Sequence, residues 1–224
     1  MWYTDFRTIR FVHIVLYIGG KGVDSFFTLR AQKQEHIINA ALVVFGRNGY
    51  KKASIADIAE EAGIAKGMVM YYFGSKKNPY LFLAERCGKI LMEAVEEGVD
   101  KEVADFFDKI KMATEVKIAM MKKHPAILSF LAKLYRETDS EVADILETLT
   151  NKGFDDRDKI LMEGTDVSKF HDDIDPKLLD KFFVWASEGF AGSFAENINM
   201  DDVDSFVKEF YALLDLMKRH FYKK

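Results

Sequence analysis

The chain of 224 residues holds a single cysteine, Cys87, and only three prolines, at positions 79, 125 and 176. One cysteine excludes an intramolecular disulfide and a four-cysteine zinc site. Inside an apolar helical stretch it reads as a small core residue rather than a sensor of oxidation. With so few prolines, long helical patterns run unbroken, and an all-α fold is expected. The motifs of common enzymes are also missing: there is no glycine-rich phosphate loop, no HExxH pair and no Gly-x-Ser-x-Gly turn. The histidines at 13, 36, 124, 171 and 220 are scattered. His171, Asp172 and Asp173 are adjacent in a polar stretch and read as solvated rather than as metal ligands. No enzymatic activity, cofactor or metal is expected.

A long hydrophobic run is absent too. Residues 11–20 (FVHIVLYIGG) are apolar, yet the run is about half the length of a bilayer-spanning helix. Arg7 and Arg10 precede it as they would in a signal peptide, but no small-x-small cleavage site follows cleanly. The expected location is the cytoplasm, away from membranes. Residues 1–30 differ in pattern from the rest of the chain and form an N-terminal extension of unknown role. A start assigned too far upstream is the favoured explanation, and an accessory helix or strand packed on the body is the alternative.

What the chain does have is a charge asymmetry and a motif. Its net charge is −4. Residues 30–77 hold eight Lys or Arg and four Asp or Glu, a local charge of +4, which leaves −8 for the rest. A basic head on an acidic body suits a protein that presents one end to phosphates. Within the head, a first helix over about 31–48 places Ile37, Ile38, Ala41, Leu42 and Phe45 on one face, and Gly49 is placed to end it. Ser54 and Asp57 have the spacing of a capping box and should start a second helix. Gly63 supplies a turn, and a third helix runs from Ala65 to about Tyr71. Two short helices around a glycine turn are the layout of a helix-turn-helix, whose second member enters the DNA major groove.

The candidate DNA-binding residues come from that layout. Lys66 and Gly67 lie at the N-terminus of the third helix, where unpaired amides favour phosphate. Tyr71 and Tyr72 can donate hydroxyl hydrogen bonds to phosphate oxygens, and Lys76 can reach the backbone as a point charge. Met68 and Met70 can touch a thymine methyl group but offer no donor to a base edge. Ser54 completes the set at the start of the second helix.

Residues 34–81 resemble the DNA-binding domain of the tetracycline-repressor (TetR/AcrR) family of bacterial regulators. The matching residues are Ile38, Ala40, Ala41 and Phe45, then Gly49-Tyr50, then Ser54, Ile58 and Ala59. Ala62-Gly63-Ile64, Lys66-Gly67 and Tyr72-Phe73-x-Ser75-Lys76 complete the likeness. By the family pattern, position 65 is commonly a capping serine or threonine, and here it is Ala65. The resemblance implies a homodimeric repressor with a helix-turn-helix domain over 31–78 and a helical effector-binding and dimerisation domain over 79–224. Its partners would be a pseudo-palindromic DNA operator and a small molecule that releases it.

In the C-terminal body the expected helices cover about 81–97, 100–121, 125–136 and 139–162, with a weakness at Gly153. A polar loop is expected over 164–173, then helices over 175–196 and 201–222. Phe106, Phe107, Ile110 and Met120 are candidate linings of an effector pocket, together with Phe130, Tyr135, Phe182 and Trp185. Large apolar residues of this kind equally well form plain core. The abundance of Phe and Met, 19 and 10 residues, suits an apolar or aromatic effector. By the resemblance, the last two helices would pair with those of a second subunit. Gly189 and Gly192 would allow close approach, with Phe206, Phe210, Leu213, Leu214 and Met217 on the apposed stripe. The same stripe could instead pack within its own subunit. The competing reading of the whole chain is a helical ligand-binding or protein-interaction dimer with weak or lost DNA binding.

Overall fold

A computed structural model describes residues 21–175, 178, 179, 181–183, 185, 186 and 203–223. Among these the regular elements are helical: α1 Lys21–Phe27, α2 Ala31–Lys52, α3 Ile55–Glu61, α4 Lys66–Phe73, α5 Lys77–Gly98, α6 Phe106–Lys123, α7 Pro125–Leu134, α8 Ala143–Met162 and α9 Val203–Phe221, with a 3₁₀ turn at Val167–Lys169. The all-α expectation holds. The expected helix over 175–196, with Gly189 and Gly192, lies largely outside the described residues.

Local chemistry explains most boundaries. Gly49 has φ 69°, a break inside α2 that carries the chain towards Lys51 and Lys52. The helix expected from about 100 starts later, at Phe106, and Asp105 caps it, its side chain accepting from the amides of Phe107 and Asp108 at 3.1 and 3.2 Å. The break expected at His124-Pro125 separates α6 from α7. Gly153 sits inside α8 without interrupting it, since one glycine costs only about 1 kcal/mol relative to alanine in a helix interior. The polar segment after α8 is anchored rather than loose: Phe170 is buried, and the His171 amide donates to the Phe221 carbonyl at 2.9 Å.

The chain divides into two compact units. The first contains the described residues up to 87 together with 126–147, and the second contains 88–125 with the described residues from 148 onwards. In the first, Ile37, Phe45, Ile58, Val69 and Tyr80 are fully buried. Tyr80 is the hub of an aromatic cluster, with ring centroids 4.8 Å from Tyr50, 4.9 Å from Phe45 and 5.4 Å from Phe130. Cys87 is buried, and that burial pushes its thiol up to about 12, which keeps it protonated and inert.

The second unit has its own core. Phe106 and Phe107 pack edge-on against Phe183 at 5.4 and 5.8 Å, with Phe170 and Leu214 beside them. Tyr222 packs on Phe107 at 5.2 Å, and its hydroxyl accepts the Phe106 amide at 3.2 Å. Lys218 links α9 to the start of α6 through ion pairs of 3.0 Å to both Asp105 and Asp108. Among the described residues, no helix is long and apolar enough to cross a membrane.

Candidate DNA interface

The head is built around α3, α4 and the turn between them. Ser54 and Asp57 form the capping box in both directions: the Asp57 amide donates to Ser54 Oγ at 3.2 Å, and the Ser54 amide donates to Asp57 Oδ2 at 2.9 Å. Ser54 is therefore committed to starting α3. Gly63 turns the chain with φ 57°, a left-handed conformation that a Cβ would oppose. Arg47 ties α2 to α3 through Glu61 at 3.0 Å, and Asn78 closes the end of α4 by donating to the Phe73 carbonyl at 2.6 Å.

On α4 the periodicity of the helix separates two faces. Val69, Tyr72 and Phe73 are buried at 0, 3 and 6 % exposure, whereas Met68, Met70 and Tyr71 are exposed at 39, 42 and 55 %. Lys66 and Gly67 are exposed as well, and nothing lies within 4 Å of the place a Gly67 side chain would occupy. Ala65 gives α4 no side-chain cap, so the first amides of the helix are left for an external acceptor. Lys51 and Lys52 at the end of α2 are exposed cations of the same unit.

Two of the residues expected to meet DNA are placed differently. The Tyr72 ring is core, packed 5.7 Å from Phe26, which leaves at most its hydroxyl tip for a phosphate. Lys76 is half-buried. Its ammonium donates to the Tyr50 carbonyl at 2.8 Å and lies 4.2 Å from the Tyr50 ring centre. That side chain holds the end of α2 against the start of α5. The outward set is Lys66, Gly67, Met68, Met70 and Tyr71.

The segment ahead of α2 contributes directly. Phe26 on α1 is 1 % exposed and packs 5.0 Å from Phe73 as well as against Tyr72. Ser25 Oγ and the Tyr71 hydroxyl are hydrogen-bonded at 2.9 Å. Gly22 passes so close to α4 that a Cβ there would collide with the Tyr71 carbonyl oxygen. Gln34 secures the connection by donating to the Phe27 and Leu29 carbonyls at 3.1 and 2.8 Å. Lys21–Phe27 thus forms a helix docked on the head, not on the body as the alternative reading of residues 1–30 has it. Paired phenylalanines at 26 and 27, just before a strongly helical stretch, are the signal that marks it.

The candidate effector and dimer residues are divided between the units. Phe106, Phe107 and Ile110 share the core of the second unit, and Met120 is half-buried further along α6. Phe130 is fully buried in the aromatic cluster of the first unit, and Tyr135, in the same unit, is exposed at 52 %. Phe182 and Trp185 are exposed at 46 and 65 %. On α9, Leu214 is buried within its own unit, Phe206, Phe210 and Met217 are half-buried, and Leu213 is exposed at 45 %.

Comparison with known proteins agrees with this geometry. Residues 37–78 match the family model described as bacterial regulatory proteins, tetR family. Over 147 residues the chain is 25% identical to the fatty acid metabolism regulator protein of Bacillus subtilis (strain 168), covering 65% of this chain and 75% of that protein. In fold it is similar to a TetR family transcriptional regulator from Chloroflexus aurantiacus J-10-FL, with a TM-score of 0.69 and 20% identity, over 92% of this chain and 100% of that one. It is also similar to FadR from Bacillus subtilis in complex with stearoyl-CoA, with a TM-score of 0.65 and 20% identity, over 82% and 96% of the two chains.

Proposed function

We propose that this chain, whose residues 37–78 match the tetR-family model, is a regulator of that family: a cytoplasmic, homodimeric repressor released from a pseudo-palindromic operator by a small effector. The observation that carries the reading is the division of α4 into a buried face and a free one. Val69, Tyr72 and Phe73 hold the helix, while Lys66, Gly67, Met68 and Met70 stand clear of the head and Tyr71 is exposed with its hydroxyl bonded to Ser25 Oγ. Lys66 and the open amides of the first turn address phosphate, joined by Lys51 and Lys52. The methionines supply apolar contact to base edges. A two-fold dimer would place two copies of α4 on successive turns of the duplex, and the exposed Leu213 and Leu216 of α9 supply apolar surface for such pairing.

The effector reading is supported by the aromatic core of the second unit and by the likeness to a regulator of fatty acid metabolism and to a stearoyl-CoA complex. The effector proposed is a molecule with a long apolar part, and long-chain acyl-CoA is its leading example. It releases DNA by binding the DNA-incompetent arrangement of the dimer more tightly.

A second reading is favoured by one observation. Ala65 provides no cap for α4, and the exposed methionines offer no hydrogen bonds to bases, which fits a ligand-binding dimer with weak DNA affinity. Selection of bound fragments from random duplex DNA separates the two. A repressor enriches a shared site with two-fold symmetry, whereas failure to enrich any site supports the second reading.

A further inference from the structure

Tyr71 stands on the outward side of α4, 55 % exposed, yet its side chain is anchored at the far end. The hydroxyl is hydrogen-bonded to Ser25 Oγ on α1 at 2.9 Å, across 46 positions of sequence. The rest of α1 holds Ser25 in that place. One residue further on, Phe26 is buried against Tyr72 and Phe73, with ring centroids at 5.7 and 5.0 Å. One turn earlier, Gly22 passes so close to the Tyr71 carbonyl oxygen that no Cβ fits between them. Behind Ser25, Thr28 closes the helix by donating its hydroxyl to the Ser25 carbonyl at 2.8 Å.

An exposed tyrosine ordinarily samples several rotamers, and fixing one of them on binding costs conformational entropy. An anchor at the hydroxyl removes part of that cost before DNA arrives. The bond also acquires a direction when DNA binds. A phosphate oxygen only accepts hydrogen bonds, so the phenol must donate its single proton to it. Ser25 must then donate to the Tyr71 oxygen, and a hydroxyl that accepts one hydrogen bond donates more strongly in the next. We propose that Ser25 is a positioning residue for the DNA interface, holding the Tyr71 hydroxyl ready for a backbone phosphate in a chain that runs from serine to tyrosine to phosphate. This rests on the DNA-binding reading above. It adds α1, which lies outside the residues 37–78 matched by the family model, to the binding unit.

The test is a double-mutant cycle on the full-length protein, read as dissociation constants for a duplex recovered by selection from random DNA. Ser25→Ala is expected to weaken binding by at least about threefold, the scale of one lost neutral hydrogen bond. Ser25→Thr, which keeps the hydroxyl, should bind like wild type. In a Tyr71→Phe background, which keeps the ring and removes its hydroxyl, Ser25→Ala should have no further effect. A serine that only helps α1 to dock would weaken binding by the same factor in both backgrounds, and that result overturns the proposal. Ser25→Ala or Tyr71→Phe binding as tightly as wild type overturns it too. Tighter binding by Ser25→Ala does so as well, because the bond would then withhold the hydroxyl from DNA. A wild type that binds neither selected nor random duplex is a separate result: the DNA-binding reading itself fails, and the role of Ser25 falls with it.

Discussion

Replacing Phe26 with alanine tests whether α1 is part of the DNA-binding head. The Phe26 ring is 1 % exposed and lies within 5.0 to 5.7 Å of the rings of Phe27, Phe73 and Tyr72. Truncating a phenylalanine so enclosed removes its transfer free energy and leaves a cavity, together roughly 3–5 kcal/mol. For a chain of this length each kcal/mol lowers the melting temperature by about 2–4 °C, so a fall of roughly 6–20 °C is expected. The variant also exposes Tyr72 and releases the hydrogen bond between Ser25 and Tyr71, so α4 should lose hydrogen-exchange protection before the rest of the head. Calorimetry with amide exchange reads both effects. Phe27→Ala, at a half-buried position, is the control and should cost clearly less. A Phe26→Ala protein that melts within about 1 °C of wild type, with α4 exchange unchanged, would refute the docking of α1.

Ser54→Ala removes one half of the capping box and should destabilise the head by about 1 kcal/mol, measured by urea denaturation. Tyr71→Phe should weaken binding to all duplexes alike, because a phenolic hydroxyl addresses phosphate. Met68→Ala should instead alter preference at a thymine, and competition binding with paired duplexes distinguishes them. Lys117→Met should stabilise the protein at neutral pH. The fall from the ordinary lysine value of 10.5 to about 8 corresponds to roughly 3 kcal/mol, at 1.36 kcal/mol for each pKa unit. Between those values the unfolded wild type binds more protons than the folded form, so wild-type stability should rise with pH from about 8 to 10.5. Below about 8 the ammonium is charged in both states and the penalty is constant. Denaturation across this range should show the rise in wild type and a flatter curve in Lys117→Met.

The features legible in the sequence are those decided by neighbours in the chain. Ser54 and Asp57 announce their capping box by spacing alone, and Gly63 announces a left-handed turn. The buried Val69 and the exposed Met68 and Met70 reflect helical periodicity. Features decided by what another element brings were not legible. Tyr71 and Tyr72 look alike in sequence, but one helical step turns Tyr72 into the head and leaves Tyr71 outside. Lys76 reads as a free cation until the end of α2 presents the Tyr50 carbonyl to it. Phe130 reads as a pocket residue, yet the return of α7 to the first unit makes it a neighbour of Phe45 and Tyr80. The docking of Phe26 is similarly a property of the surface it meets. By contrast, Lys117 could have been noticed as a charge continuing the apolar stripe of Phe106, Ile110 and Ala113.

The most direct test of DNA binding through α4 is the dependence of affinity on salt, measured with a duplex recovered by selection. Each phosphate contact contributes about −0.9 to the slope of log affinity against log salt. Wild type is expected to give a steep negative slope, and Lys66→Ala, altering both subunits of a dimer, should reduce its magnitude by about 1.8. A flat dependence, or a Lys66→Ala slope identical to that of wild type, would contradict the placement of α4 against the DNA backbone.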